Sequence, residues 1–137
     1  MRLSTRGRYG LHAMYVLGKN YEGEPISLNE ISKITGLSNS YLEQLIRRLK
    51  KGGLVDSIRG SQGGYFLTKN PKDITIGDIL RNLEDFFGTT ECSTEEDYCP
   101  RQGSCPARGV WVEISNEITR KANEMTLDEM VKGKYRS

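Results

Sequence analysis

Three thiols stand within 14 residues of this 137-residue chain: Cys92, Cys99 and Cys105, separated by six and five residues. Their number is odd, and the opening MRLSTRGRYG has none of the apolar stretch of an export signal, so a disulfide framework explains them poorly. The spacing lacks the close C-x-x-C pair common in structural zinc sites, which leaves zinc open but not indicated. Iron-sulfur clusters take soft thiolate ligands, and a pliant loop lets widely spaced cysteines converge on one. Free surface cysteines are the plainer alternative. Residues 88–104, GTTECSTEEDYCPRQGS, have almost no aliphatic side chain, and a coil of that length in a small protein is usually functional or disordered. The segment holds neither histidine nor lysine to activate a thiol, and no nucleophile motif surrounds it, so the chain is not expected to be an enzyme.

A second group of side chains has the types that read DNA. In SNSYLEQLIRRLKK, Gln44 can form paired bonds to adenine and Arg47 to guanine. Ser38, Asn39, Ser40 and Tyr41 open the same segment, where hydroxyls, amides and backbone N–H groups can hold a phosphate. At about 100° per residue, Ser40, Gln44, Arg47 and Lys51 share one helix face with Tyr41, Glu43 and Arg48 on its flanks, opposite Leu42, Leu45, Ile46 and Leu49. Farther on, Arg59 adjoins Gly60, Ser61 and Gln62, and a guanidinium beside a flexible loop suits the negative potential of a minor groove. An ordinary solvated helix face and a plain hairpin turn are the alternative.

The elements needed to position these groups are legible in the pattern. Tyr9, Ala13, Val16 and Leu17 predict a first helix over about 6–20. Ser27 and Glu30 have the spacing of a capping box ahead of a second helix with Leu28, Ile31 and Ile34 on its buried stripe, closed by Gly36. Ser38 caps the third helix, and Gly52 and Gly53 stop it. LVDSI and GYFLT around the glycine-rich loop predict a hairpin. Thr75 begins a fourth helix with Ile76, Ile79, Leu80 and Leu83, expected to pack under that hairpin. After Pro106, Val110, Ile114 and Ile118 beside Trp111 predict a long two-faced helix to about Asn123; Thr126 and Glu129 then open a short one, and GKYRS reads as frayed. Two short helices with a wing behind them form the layout of a winged helix-turn-helix.

Charge distribution agrees with this layout. The chain carries a net +2, but residues 1–60 carry +5 and the remainder −3, which places the positive field on the N-terminal part. With 36% apolar and 28% charged residues and no apolar run near the roughly 18 residues of a membrane span, a non-membrane, cytoplasmic protein is expected. The fold class is mainly α with a small β wing, and three units follow: 1–88 for DNA, 89–105 for the cysteines, and 106–137 for a long helix and a C-terminal helix.

These segments resemble the IscR/NsrR/CymR family of winged-helix transcription regulators over nearly the whole chain. The resemblance is carried by STRGRYGLHAM, by YLEQLIRRLKKGGLV with RGSQGGY, by ITIGDILRNLE, and by Cys92, Cys99, Cys105 and Trp111 in family order. It implies a homodimer joined through the long helix and a palindromic double-stranded operator contacted by two recognition helices. In that family the residues matching Ser40, Glu43, Gln44 and Arg59 take part in operator recognition, which implies a role for Glu43 in penalising wrong sequences.

The same resemblance implies an iron-sulfur cluster on the three cysteines, [2Fe-2S] ahead of [4Fe-4S], delivered by cluster-assembly proteins. Ligation would order the cysteine loop and change the spacing of the recognition helices, making the chain a repressor that senses cluster supply and controls cluster biogenesis genes. A nitric-oxide or iron sensor of the same fold is the alternative, and a cluster carrier or scaffold is the alternative from another class. The family's usual fourth ligands are missing: arginine stands at the matching positions 8 and 108, as fixed cations able to tune a cluster's potential. His12, the one histidine, is the candidate fourth ligand, against the plainer reading of a satisfied helix histidine. Glu91, Glu95, Glu96, Asp97, a water or a small thiol are the other ways to complete the site.

Overall fold

A computed structural model describes residues 3–85, 87–88 and 104–136. Helix α1, Thr5–Lys19, starts where Ser4 Oγ accepts from the Gly7 amide (3.2 Å), and it buries Ala13, Met14, Val16 and Leu17. Tyr9, expected on the same stripe, is 38% exposed at its edge. Helices α2, Leu28–Thr35, and α3, Asn39–Lys51, form the helix-turn-helix. Ser27 caps α2 through the Glu30 amide, but the return bond from the Glu30 side chain is not made, so only half of the expected capping box forms.

Gly36 ends α2 at φ 78°, a left-handed conformation that glycine adopts without a side-chain clash. Ile31 lies fully buried between α1 and α3, whereas Ile34 is 63% exposed and so corrects the predicted stripe. The helix stops one residue beyond Ile34, and no further turn covers that side chain; it lines an open groove with Tyr15, Val16 and Ile26.

The wing is an antiparallel pair, β1 Val55–Ile58 and β2 Gly64–Leu67, in register from Val55 opposite Leu67 to Ile58 opposite Gly64. Ile26 adds a bridge to Tyr65 through bonds of 3.0 and 2.8 Å. Its backbone runs so close that a Cβ on Gly64 would lie 2.5 Å from the Ile26 oxygen. Asn70 then caps a 3-10 turn at Pro71–Asp73, and Thr75 with Asp78 forms a complete capping box for α4, Ile76–Leu83.

Helix α4 packs against α1, α3 and α5 rather than under the hairpin as expected. Its Leu83 approaches α1 closely at Gly10 and the Glu84 carboxylate at its C-cap approaches Gly7, while α1 and α3 cover the base of the wing. The long helix α5, Arg108–Glu124, lies along α4, and α6, Leu127–Val131, packs on α1 behind a complete Thr126–Glu129 capping box.

The core joins Met14 and Leu17 to Ile31, Leu42, Leu45 and Leu49, then to Ile79, Leu83 and Leu127. No described helix is long and apolar enough to cross a membrane. The C-terminal stretch departs from the frayed end expected of it. The Tyr135 hydroxyl donates to Glu129 Oε1 (3.0 Å), and Arg136 Nη2 donates to the Tyr15 hydroxyl (2.8 Å), pinning residues 135 and 136 to α6 and α1.

Candidate nucleic-acid interface and cysteine segment

Four leucine and isoleucine side chains orient α3. Leu42, Leu45, Ile46 and Leu49 are buried, which turns Ser40, Glu43, Gln44, Arg47 and Lys51 outward as exposed side chains. At the helix start Ser38 Oγ accepts from the Tyr41 amide (3.2 Å) and stands 3.5 Å from Ser40 Oγ, while Asn39 Nδ2 donates to Asn29 Oδ1 (2.7 Å) on α2. Ser38 and Asn39 are exposed, so this end presents hydroxyl, amide and backbone donors together. Tyr41 differs from them. Its ring packs edge-on against Tyr9 at 6.3 Å and its buried hydroxyl has no hydrogen-bond partner among the described residues, so it covers the core as well as flanking the polar face.

The wing tip leaves Arg59, Gly60, Ser61 and Gln62 exposed, with the turn closed by Gly63 N–H on the Gly60 carbonyl (3.0 Å). Lys50 Nζ donates to Ser57 Oγ (2.8 Å) and lies 3.8 Å from Asp56 Oδ1, which links the outer face of α3 to β1.

Arg48 is engaged elsewhere. Its Nη1 donates to Asp85 Oδ1 (3.1 Å), and Arg6 Nη2 donates to Asp85 Oδ2 (2.9 Å). The Arg48 hydrogen bond first, and the charges of Arg6 and Arg48 next, hold the Asp85 carboxyl below its ordinary range. Beside it Glu84 Oε1 accepts from Ser4 N (3.0 Å) and Ser4 Oγ (2.9 Å). Nothing in the local pattern announces this joint, because residues 4, 6, 48, 84 and 85 have no periodic relation and meet only through the packing of three helices.

Of the cysteines, Cys92 and Cys99 lie outside the described residues. Cys105 is exposed and free, three residues ahead of α5. His12 is exposed on α1, in a shallow cleft with Tyr15, Met130, Tyr135 and Arg136. Among the described residues no three histidine, cysteine or carboxylate side chains gather as a metal site. Arg8 stacks over the Tyr9 ring at 5.9 Å.

A helix-turn-helix with an outward polar second helix, followed at once by a two-stranded wing, defines a winged helix-turn-helix transcription regulator. The family model for Rrf2, described as an iron-dependent transcriptional regulator, matches residues 3–133. The chain belongs to the Rrf2 family. It is 40% identical over 134 residues to the HTH-type transcriptional regulator IscR of Pectobacterium atrosepticum, covering 98% of this chain and 81% of that protein. CymR, the global cysteine regulator of B. subtilis, superposes with a TM-score of 0.78 at 39% identity, over 96% of this chain and 97% of its own. IscR of T. potens gives 0.77 at 39% identity, over 96% and 87%. The relatives are named as regulators of transcription rather than enzymes, and this chain is a transcription regulator.

Proposed function

We propose that the protein is a cytoplasmic repressor that binds a palindromic promoter site as a homodimer and senses an iron-sulfur cluster through Cys92, Cys99 and Cys105. The observation that carries the DNA half is the outward face of α3, where Ser40, Glu43, Gln44, Arg47 and Lys51 are all exposed above a fully apolar inner face, with Arg59 exposed on the wing beside it. In this reading Ser38 and Asn39 hold a phosphate at the helix start and Tyr41 supports them. Gln44 and Arg47 read base edges, Glu43 rejects wrong sequences, and Arg59 with Ser61 follows the minor groove. Residues 1–88 form the reading unit, 89–105 the sensing segment and 106–137 the dimerising unit.

The chemistry of the donor set supports the cluster half. Three thiols are the soft ligands such a group takes, Cys105 is free and exposed, and a similar protein bears the name IscR. His12 is the nitrogen donor proposed to complete the set, since it is exposed on α1. The group is proposed as [2Fe-2S], received from cluster-assembly proteins. When bound, it supplies a redox-sensitive link among the three thiolates. Helix α4 is the chain's own connection between sensing and reading, because it packs against both α3 and α5. The family's description as iron-dependent favours a second reading, in which iron itself is the signal.

Anaerobic reconstitution followed by titration with the protein's own promoter DNA tests both halves. The loaded protein is expected to bind at least about tenfold more tightly than the apo form, and acid-labile sulfide separates a cluster from bare iron. Gln44→Ala and Arg47→Ala are expected to change sequence preference by about 1–3 kcal/mol per lost contact. Equal affinities of loaded and apo protein would remove the sensing role; unchanged preference in both variants would remove α3 as the reader.

A further inference from the structure

Among the described residues, Arg48 is the one basic residue of the α3 sequence RRLKK that meets a carboxylate just past the end of α4. Its side chain and that of Asp85 are 38% and 74% exposed, and the pair opens into the cleft that Arg47 and Lys51 also line. Asp85 is not needed there as a fastener for α3. Arg6 already donates to Asp85 Oδ2 and, through Nε, to the Leu83 carbonyl (3.1 Å), whereas the Arg48 bond to that carbonyl is stretched to 3.5 Å. Helices α3 and α4 are joined independently by buried leucines and isoleucines and by the close approach of Gly52 to the Asn82 side chain. Arg48 can therefore leave Asp85 without loosening the fold. A DNA phosphate offers the same anionic oxygens that Asp85 offers, and a solvent-exposed ion pair is weak enough to exchange for one.

We infer that Asp85 is an internal competitor of the DNA backbone for Arg48, withholding one cation from the recognition helix and so lowering its sequence-independent affinity. The inference rests on the proposed DNA-reading role of α3 and extends it to a residue outside the helix-turn-helix. A carboxylate held in this way limits binding to irrelevant sequence, where backbone contacts are the whole of the interaction, more than it limits binding to an operator.

The test uses the full chain and a duplex of random sequence, with affinity followed against salt. Asp85→Asn is expected to bind about two- to fivefold more tightly at low salt. Its plot of log affinity against log salt should steepen by about 0.9, the signature of one more neutralised phosphate. In an Arg48→Ala background the same substitution should leave that slope unchanged. Asp85→Ala provides a second route to the same comparison. An unchanged slope in Asp85→Asn, or equal steepening in both backgrounds, overturns the competition. Arg47→Ala, titrated with the protein's own promoter DNA, separates the two readings: if it weakens binding there while the Asp85 variants change nothing on the random duplex, only the competition falls. If it leaves binding unaltered, the DNA-facing role of α3 falls with it.

Discussion

At Glu129 one carboxylate closes a capping box and anchors the chain's last turn. It accepts from the Thr126 amide (3.0 Å), the Lys134 ammonium (2.5 Å) and the Tyr135 hydroxyl (3.0 Å). The bond from Lys134 first, then those from Thr126 and Tyr135, hold its pKa down from 4.5 to about 2. A depressed carboxylate contributes stability that is fully present above its unfolded value and is lost as pH falls through its folded value. Glu129→Gln should therefore melt below the natural protein at neutral pH, with the gap narrowing from about pH 4.5 downward and closed near pH 2. A gap constant across that range, measured by thermal denaturation, would assign the loss to shape instead of charge. The T-x-x-E spacing made the cap legible in advance. The bonds to Lys134 and Tyr135 were not legible, because they depend on the chain turning back after α6.

Helix α4 shows how much of an element's role depends on its neighbours. Its period of apolar residues was readable, but its partner was not, since an apolar stripe fits a hairpin or a helix equally well. The partner is set by close approach: a Cβ on Gly10 of α1 would lie 2.3 Å from Leu83 Cδ1, and Leu83 is fully buried. Gly109, in the first turn of α5, would place its Cβ within 4 Å of nothing among the described residues. Alanine at these two positions should therefore act with opposite signs. Gly10→Ala is expected to destabilise by roughly 1–2 kcal/mol through overpacking, despite alanine's better helix propensity. Gly109→Ala is expected to stabilise by about 0.5–1 kcal/mol. Urea denaturation of the two variants checks both values, and a stabilised Gly10→Ala would mean that α1 and α4 are not in this contact.

At the scale of the whole molecule, α5 has two differently employed faces. Ser115 and Ala122 are buried, and Asn123 accepts from Arg81 Nη1 of α4 (2.8 Å), whereas Val110 is 52% and Ile114 41% exposed, with Trp111 beside them at 37%. An apolar stripe of this kind on the longest helix is suited to an equivalent helix in a second copy, as the proposed palindromic operator requires. Ile114→Lys is expected to shift the protein to monomer in sedimentation equilibrium and to weaken operator binding in proportion. A variant that remains dimeric would move the interface off this face. The same helix links the proposed dimer to the reader, because α5 rests on α4 and α4 on α3.

Local order and local chemistry were determined by the sequence alone. Leu42, Leu45, Ile46 and Leu49 at helical spacing turn Gln44 and Arg47 outward, the glycines at 60 and 63 mark a turn, and Ser38 and Thr126 act as caps within one helical turn of their partners. Such features involve residues within a few positions of one another, where backbone geometry fixes who meets whom. Tertiary structure decided the rest: α4 lies against α1 and not the wing, Ile34 is left in the open, the C-terminal residues are pinned to Tyr15, and Arg48 is paired with Asp85. Each of these depends on surfaces brought together from distant parts of the chain, and a charge or an apolar side chain does not name its distant partner until the helices have packed.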